Sequence, residues 1–571
     1  MDRRTFLKYS LATGVVIWVG DKLPKMAGMS KDRVKKLFAV ESVNAVTPIF
    51  PQSVASGDPQ PRGITLWTRV VPPQPGLVEA AFEISTDSKF STFVLRGFAQ
   101  TDAFKDYTLK VRLNSRHIQP STTYYYRFIY KGTVSRTGRF NTLPASKSEV
   151  DQVRFAYINC QDYINGYYNA YRFLAEEEID FVVFLGDYIY ETVGDTSFQN
   201  NGIRPLQLPS GQPAAATLED YRFLYQTCNG DSDLQKLRER FAFITIWDDH
   251  EFANDCFQVN APDQVPFFKP KLRQLANQAW AEYTPTSIPF LGNKSPLASL
   301  QIYRTFKFGN LLELVMTDER LYRDGPPCDN LEAQQQYYLT QKRYITPDCP
   351  ERSNPNRTML GQRQREWFIN QICNSSCIWK IWGNEVMTMQ FKVLSAFATQ
   401  FLGQGTPDLF VALDQWDGYP AERTLLFQTL KNAGIKNFVT ITGDLHSFVT
   451  GYQKVNFDDP LDAPIGVEFV VGSTTSSNFS EESSPSSLGV PLPPIDLITQ
   501  VLTASNAHIQ YFNSATHGYN LVEVTSEALT CTLKAVSDIT TLGGTLSTLK
   551  VFRVPRDRVL IEDVTTEGNG L

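Results

Sequence analysis

The sequence predicts two folds in series: an all-β sandwich of the immunoglobulin or fibronectin type III kind, then a large layered α/β domain with mixed β-sheets and flanking helices. Three observations predict it. Residues 64–143 hold short strands of alternating aromatic and β-branched residues with turns between them. After Asp151, apolar strands alternate with helical stretches. The main apolar strands of this second region end in polar residues of the kind that bind ligands. At roughly 150 residues per domain, the 571-residue chain has room for two to four domains. With 42% hydrophobic and 20% charged residues it is neither disordered nor of low complexity. A net charge of −6 argues against a nucleic-acid-binding face. The five histidines, His117, His250, His446, His508 and His517, do not have the spacing of an H-E-x-x-H or three-histidine zinc site, so any metal chemistry must use other ligands.

In chain order, residues 1–45 read as a targeting segment. Arg3 and Arg4 precede Phe6-Leu7-Lys8 and a short apolar run from Leu11 to Val19, an arrangement that resembles a twin-arginine export signal. The run is too short to span a bilayer, and no other stretch approaches the ~20 apolar residues of a transmembrane helix. The expected partner is the twin-arginine export machinery, and the expected location is exported, periplasmic or extracellular. In that oxidising space Cys328 with Cys349, or Cys373 with Cys377, can close disulfides, and the sequence alone does not choose. Residues 46–148 form the sandwich, with strands at 64–71, 78–85, 106–113, 121–130 and 135–143. Residues 149–571 form the α/β domain with a C-terminal extension. Its strands fall at 153–160, 180–187, 241–249, 311–318, 377–384, 437–444 and 467–472, and its helices at 169–178, 218–228, 233–240, 362–373 and 421–433. The Ser/Pro-rich stretch 483–496 reads as a loop.

Cys160, Asp187, the run Asp248-Asp249-His250-Glu251, Asn384, and Asp444 with His446 each follow an apolar strand. A lone polar residue there is usually a turn former. Five such strand ends in order point to one crevice. Two arginines, Arg320 and Arg323 in TDERLYRD (317–324), are candidates to bind phosphate through a guanidinium fork, with a structural ion pair as the equal alternative.

These segments resemble the alkaline phosphatase D (PhoD-type) family of metallophosphoesterases. The resemblance rests on FPQSVASGDPQPRGITLWTRV (50–70), YYYRF (124–128), NCQDY (159–163), GDYIYE (186–191), WDDHEFAND (247–255), WGNEVM (382–387) and GDLHSF (443–448). It implies that Cys160, Asp187, Tyr190 and His446 bind ferric iron, with Asp187 bridging to calcium held also by Asp249, Asn384 and Asp444; Asn254 is an alternative to Asp249. Anionic thiolate, phenolate and carboxylate donors suit a ferric ion, and carboxylate with amide oxygen suits calcium. By the same resemblance His250 donates a hydrogen bond or proton in catalysis, beside the bridging Asp187. His508 and His517 are expected to be structural and His117 a surface residue. The implied activity is that of a secreted, monomeric, metal-dependent phosphatase. It would hydrolyse phosphomonoesters and phosphodiesters by in-line attack of a metal-bound hydroxide. The alternatives are a phosphodiesterase for a lipid or cell-wall polymer, and a non-catalytic surface-binding protein that kept the fold.

Overall fold

The structure, a computed structural model, describes residues 15–20, 30–40, 42–43, 48–264, 266–327, 345–478, 480–481 and 495–566. Two large sheets make its centre. The ten-stranded sheet runs, in space, Glu562–Asp563, Leu546–Pro555, Ala528–Val536, His517–Thr525, Gln152–Ile158, Phe181–Phe184, Ala242–Thr245, Val54–Gln60, Gly63–Arg69, Thr108–Asn114. The seven-stranded sheet runs Arg304–Phe308, Leu312–Met316, Trp379–Asn384, Phe438–Thr442, Gly466–Val470, Phe448–Gln453, Ile509–Asn513. Each has a parallel heart: Gln152–Ile158, Phe181–Phe184 and Ala242–Thr245 in the first, and Leu312–Met316, Trp379–Asn384, Phe438–Thr442 and Gly466–Val470 in the second.

These parallel strands are covered on both faces, so their sequences are apolar runs rather than alternating ones. FVVF, AFIT, LELVM and FVTIT contain no exposed residue. The sheets stack face to face: Phe181 lies 4.7 Å from Phe308, and Tyr157 Oη donates to the Phe469 carbonyl at 3.0 Å. Helices cover the outer faces. Leu218–Gly230, Ser232–Arg240 and Pro270–Tyr283 pack on the first sheet, with Trp280 against Trp247. Gly361–Cys373 and Pro420–Asn432 pack on the second, with Phe368 against Trp382. Helix starts follow sequence signals: Thr217 and Asp220 form a capping box, Asp231 caps the next helix, and Pro270 opens the third.

The sandwich is present, but the two folds are not simply in series. Its core joins Phe82, Tyr126, Phe128 and Phe140 of one sheet to Val54, Ile64, Leu66 and Val111 of the other. That second wall is the edge of the ten-stranded sheet, reached through the parallel pairs Ala242↔Ser56 and Phe243↔Gly57. Gly57 permits the approach, since a Cβ there would lie 2.4 Å from the Pro285 carbonyl oxygen and 2.6 Å from that of Phe243. Val54–Gln60 contains Gly57, Asp58 and Pro59 and is bulged, which hides it from a reading by alternation.

Arg3, Arg4 and Phe6-Leu7-Lys8 lie outside the described residues. The end of the apolar run, Val15–Val19, is an edge strand antiparallel to Leu95–Thr101, with Trp18 packed 5.3 Å from Phe38. Among the described residues no helix is long and apolar enough to cross a membrane. Cys349 is disulfide-bonded, whereas Cys373 and Cys377 are free, which removes that second pairing; Cys328 lies outside the described residues. Most of 483–496 does too, and its last two residues open the helix Ile495–Ser505.

Candidate metal and catalytic site

The C-terminal ends of the parallel strands from both sheets face one place. There the chain adopts a conformation that L-residues avoid: φ is +48° at Cys160, +57° at Asp187, +62° at Asp444 and +53° at His446. Left-handed backbone at four non-glycine positions, three of them buried and Asp444 partly so, is the strain expected where geometry serves chemistry. Local bonds hold these turns. The Glu251 carboxylate accepts from the backbone N–H groups of Asp187 (3.0 Å), Tyr188 (2.8 Å) and Asp248 (2.8 Å), stapling two strand ends together. Gly186 lets the two loops touch, because a Cβ there would lie 2.4 Å from that of Asp248. The Cys160 carbonyl accepts from Thr475 and Ser476 N–H, which folds the loop after Gly466–Val470 over the thiol.

The first cluster consists of Cys160, Asp187, Tyr190 and His446. Cys160 Sγ is 3.4 Å from Asp187 Oδ2, Tyr190 Oη is 3.0 Å from the same oxygen, and Tyr190 Oη is 3.4 Å from His446 Nε2. His446 Nδ1 sits 2.6 Å from the Ser477 carbonyl, so that nitrogen carries the proton and Nε2 presents its lone pair. Burial lowers the His446 pKa to about 4, keeping the ring neutral. Burial, then the neighbouring Asp187 carboxylate, pushes the Cys160 thiol and the Tyr190 phenol well above their ordinary values. Asp187 is pushed up mainly by burial. Four electron-pair donors enclosed together with no cationic side chain among them are a donor set that fits a metal ion.

Beside it stands a cage of carboxylates, Asp248, Asp249, Asp414 and Asp444, gathered around Arg320. Asp187 and Asp249 also form a potential metal-holding group with His250, and Asp248, Asp249 and Asp444 form another. Burial raises Asp248 and Asp444 despite contact with the guanidinium. Burial also raises Asp414 to about 6, with Asp255 adding to it. For Asp249, burial is outweighed by Arg320 and then His250, which hold it below the usual carboxylate range. Asp248 Oδ2 is buried without a hydrogen-bond partner. Arg320, with Arg323 3.9 Å from Asp414, does not neutralise four carboxylates, and the cage fits a hard cation.

His250 borders both clusters. Its Nδ1 is 2.7 Å from Glu191 Oε2, its ring stacks 4.1 Å from Tyr190, and Phe198 packs edge-on at 4.6 Å. Burial disfavours the imidazolium, but Glu191, Asp187 and Asp249 outweigh it and keep the ring protonated well above the usual histidine range. With Nδ1 bonded to Glu191, Nε2 is left for a cavity of about 70 Å³ lined by Asp187, Asp249, His250, Asn254, Asp444 and His446, with Phe198 on its wall.

Thus Cys160, Asp187, Tyr190, Asp249, His250, Asp444 and His446 come together. Asn384 does not serve as expected, and for Arg320 and Arg323 the structure favours the ion-pair alternative over a phosphate fork. Asn384 is turned away from the cavity: its Oδ1 accepts from Trp416 Nε1 at 3.2 Å, and its Nδ2 donates to the Val386 carbonyl. Arg323 donates to the carbonyls of Asp255, Cys256 and Asp414, and so ties loops instead of offering a fork. Arg320 is fully buried in the cage. Asn254 borders the cavity while its Nδ2 binds Asp263. His508 and His517 bond to Gln390 and to Ser473 and Glu481, outside the cluster; His117 is half-buried in the sandwich. Sequence reasoning missed Glu191, whose signal was its place in GDYIYE, and Asp414, which lies in the loop ALDQWDG with no signal of its own; Glu251, already in the strand-end run, acts as a staple between loops.

A layered α/β core whose facing strand ends gather thiol, phenol, imidazole and carboxylate donors defines the class: an enzyme with donor groups that could hold metal ions. The family model described as PhoD-like phosphatase matches residues 155–533, and that described as PhoD-like phosphatase, N-terminal domain, matches residues 37–144. The chain is 30% identical over 528 residues to alkaline phosphatase D of Bacillus subtilis (strain 168), covering 90% of this chain and 82% of that protein. It also matches the solved structure described as "Structure of PhoD", with TM-score 0.78 and 28% identity over 93% of this chain and 95% of that one. The chain belongs to the PhoD-like phosphatase family and is a phosphoric ester hydrolase.

Proposed function

We propose that the protein is an exported, metal-dependent phosphatase that hydrolyses phosphomonoesters and phosphodiesters. Ferric iron would be held by Cys160, Asp187, Tyr190 and His446, and calcium by Asp187, Asp249 and Asp444. The observation that carries this reading is the convergence of Cys160 Sγ, Asp187 Oδ2, Tyr190 Oη and His446 Nε2 beside a carboxylate cage whose Asp249 is grouped with Asp187. Export rests on the RR-x-FLK leader.

When bound, the two cations supply Lewis acidity that polarises a phosphoryl group and activates water for in-line displacement. The chain's own residues do the rest. Asp187 sets the spacing of the two positions. The Ser477 carbonyl fixes the His446 tautomer. Glu191 aims the His250 ring, whose Nε2–H is placed to donate to the phosphoryl oxygen or to the departing alkoxide. Phe198, over His250 and Tyr190, limits water beside the ring.

Assays of the exported protein on a chromogenic phosphomonoester and phosphodiester test the reading. Both should be turned over, activity should vanish on chelation, and it should return with calcium. Protein that is inactive when loaded with both metals would refute it. Turnover of diesters alone would favour the diesterase reading.

A further inference from the structure

We propose that Arg320 is a built-in counter-ion of the carboxylate cage. Its guanidinium takes the place of the second cation, so the two sheets close on each other without that cation, which then binds weakly and exchangeably. This rests on reading the cage as a cation site. Arg320 is fully buried and follows Leu312–Met316 of the second sheet. Its partners come from elsewhere: Asp248 and Asp249 follow Ala242–Thr245 of the first sheet, Asp414 lies on a loop, and Asp444 follows Phe438–Thr442. One side chain therefore bonds groups from both sheets at the place where they would otherwise repel. Arg323 fixes the same region by holding the carbonyls of Asp255, Cys256 and Asp414. The Cys160–Asp187–Tyr190–His446 cluster receives no lysine or arginine among the described residues, and the cation beside it is the His250 ring stacked 4.1 Å from Tyr190. Within the cage the charge stays in excess, and Asp248 Oδ2 keeps no partner, so a cation still gains by entering. A positive charge already a few ångströms away weakens its hold.

The test is calcium titration by calorimetry together with thermal melting. It uses the full exported, iron-loaded chain as wild type, R320Q and R320K, first in a calcium chelator and then in calcium. R320Q should melt several degrees lower than wild type in chelator, recover most of that loss in calcium, and bind calcium at least about tenfold more tightly. R320K should stay near wild type. Equal calcium affinity and an equal calcium-induced shift in wild type and R320Q would overturn the inference while leaving the cation site standing. So would an R320Q protein that stays unfolded in calcium while R320K folds. If neither wild type nor R320Q binds calcium, the cation reading of the cage fails, and the inference fails with it.

Discussion

The two halves of the site solve the burial of negative charge differently. The Cys160–Asp187–Tyr190–His446 half contains only electron-pair donors, and its thiol and phenol are driven up by burial, so it holds its anionic form only with a metal present. The Asp248–Asp249–Asp414–Asp444 half carries its own guanidinium and keeps Asp249 ionised. On the proposed reading the first half would depend on its metal for its chemical state, and the second would depend on its cation only for catalysis. Asp187 joins them, bonded to Cys160 and Tyr190 on one side and grouped with Asp249 on the other.

Removing the joint should cost most. Asp187→Asn is expected to lower kcat/KM at least about 10³-fold with an unchanged circular dichroism spectrum, because it deletes shared charge and leaves core packing alone. Substitutions on either side should then separate the halves. Cys160→Ser and Tyr190→Phe should each lose iron and change any visible charge-transfer absorption. Asp249→Asn should keep the iron and the absorption while activity falls about 10²-fold. Equal iron loss in all three would break the comparison. Glu191→Gln leaves the metals in place and weakens only the aim and charge of His250. It should lower kcat about 10- to 100-fold with metal content unchanged, most severely for substrates with poor leaving groups. A uniform loss across leaving groups would remove His250 from proton donation.

The smallest effect concerns pH. His446 and His508 are buried with pKa values lowered to about 4, below the unfolded value of about 6.5. Between those limits the unfolded chain binds more protons than the folded one. The stability of metal-stripped protein is therefore full above about pH 6.5 and is lost as the pH falls toward 4, by up to about 3 kcal/mol per histidine. Denaturant titrations across this range measure it. Restoring the metals should extend the His446 share below pH 4, because a ligated ring takes no proton in the folded state, and leave that of His508, which lies outside the site, unchanged.

Much of this was legible in the sequence because strand ends are legible. Apolar runs such as FVVF and FVTIT announce strands covered on both faces, and the residues that follow them, Asp187 and Asp444, sit at the same end of the two stacked sheets. The family resemblance carried by NCQDY, GDYIYE and GDLHSF implied the set Cys160, Asp187, Tyr190 and His446. What failed was what depends on partners distant in sequence. Asn384 follows a strand like the others, but Trp416 claims its amide oxygen. Arg320 resembles a phosphate fork until four carboxylates surround it. The sandwich looked self-contained because Val54–Gln60, the strand that fuses it to the larger sheet, carries Gly, Asp and Pro.

The most direct test is elemental analysis of natively exported protein together with its visible spectrum. The account predicts one iron per chain, retained through dialysis against a chelator and giving a charge-transfer band from Cys160 and Tyr190, and calcium that the same dialysis removes. Active protein that is free of iron, or that holds iron with no such band, would contradict it.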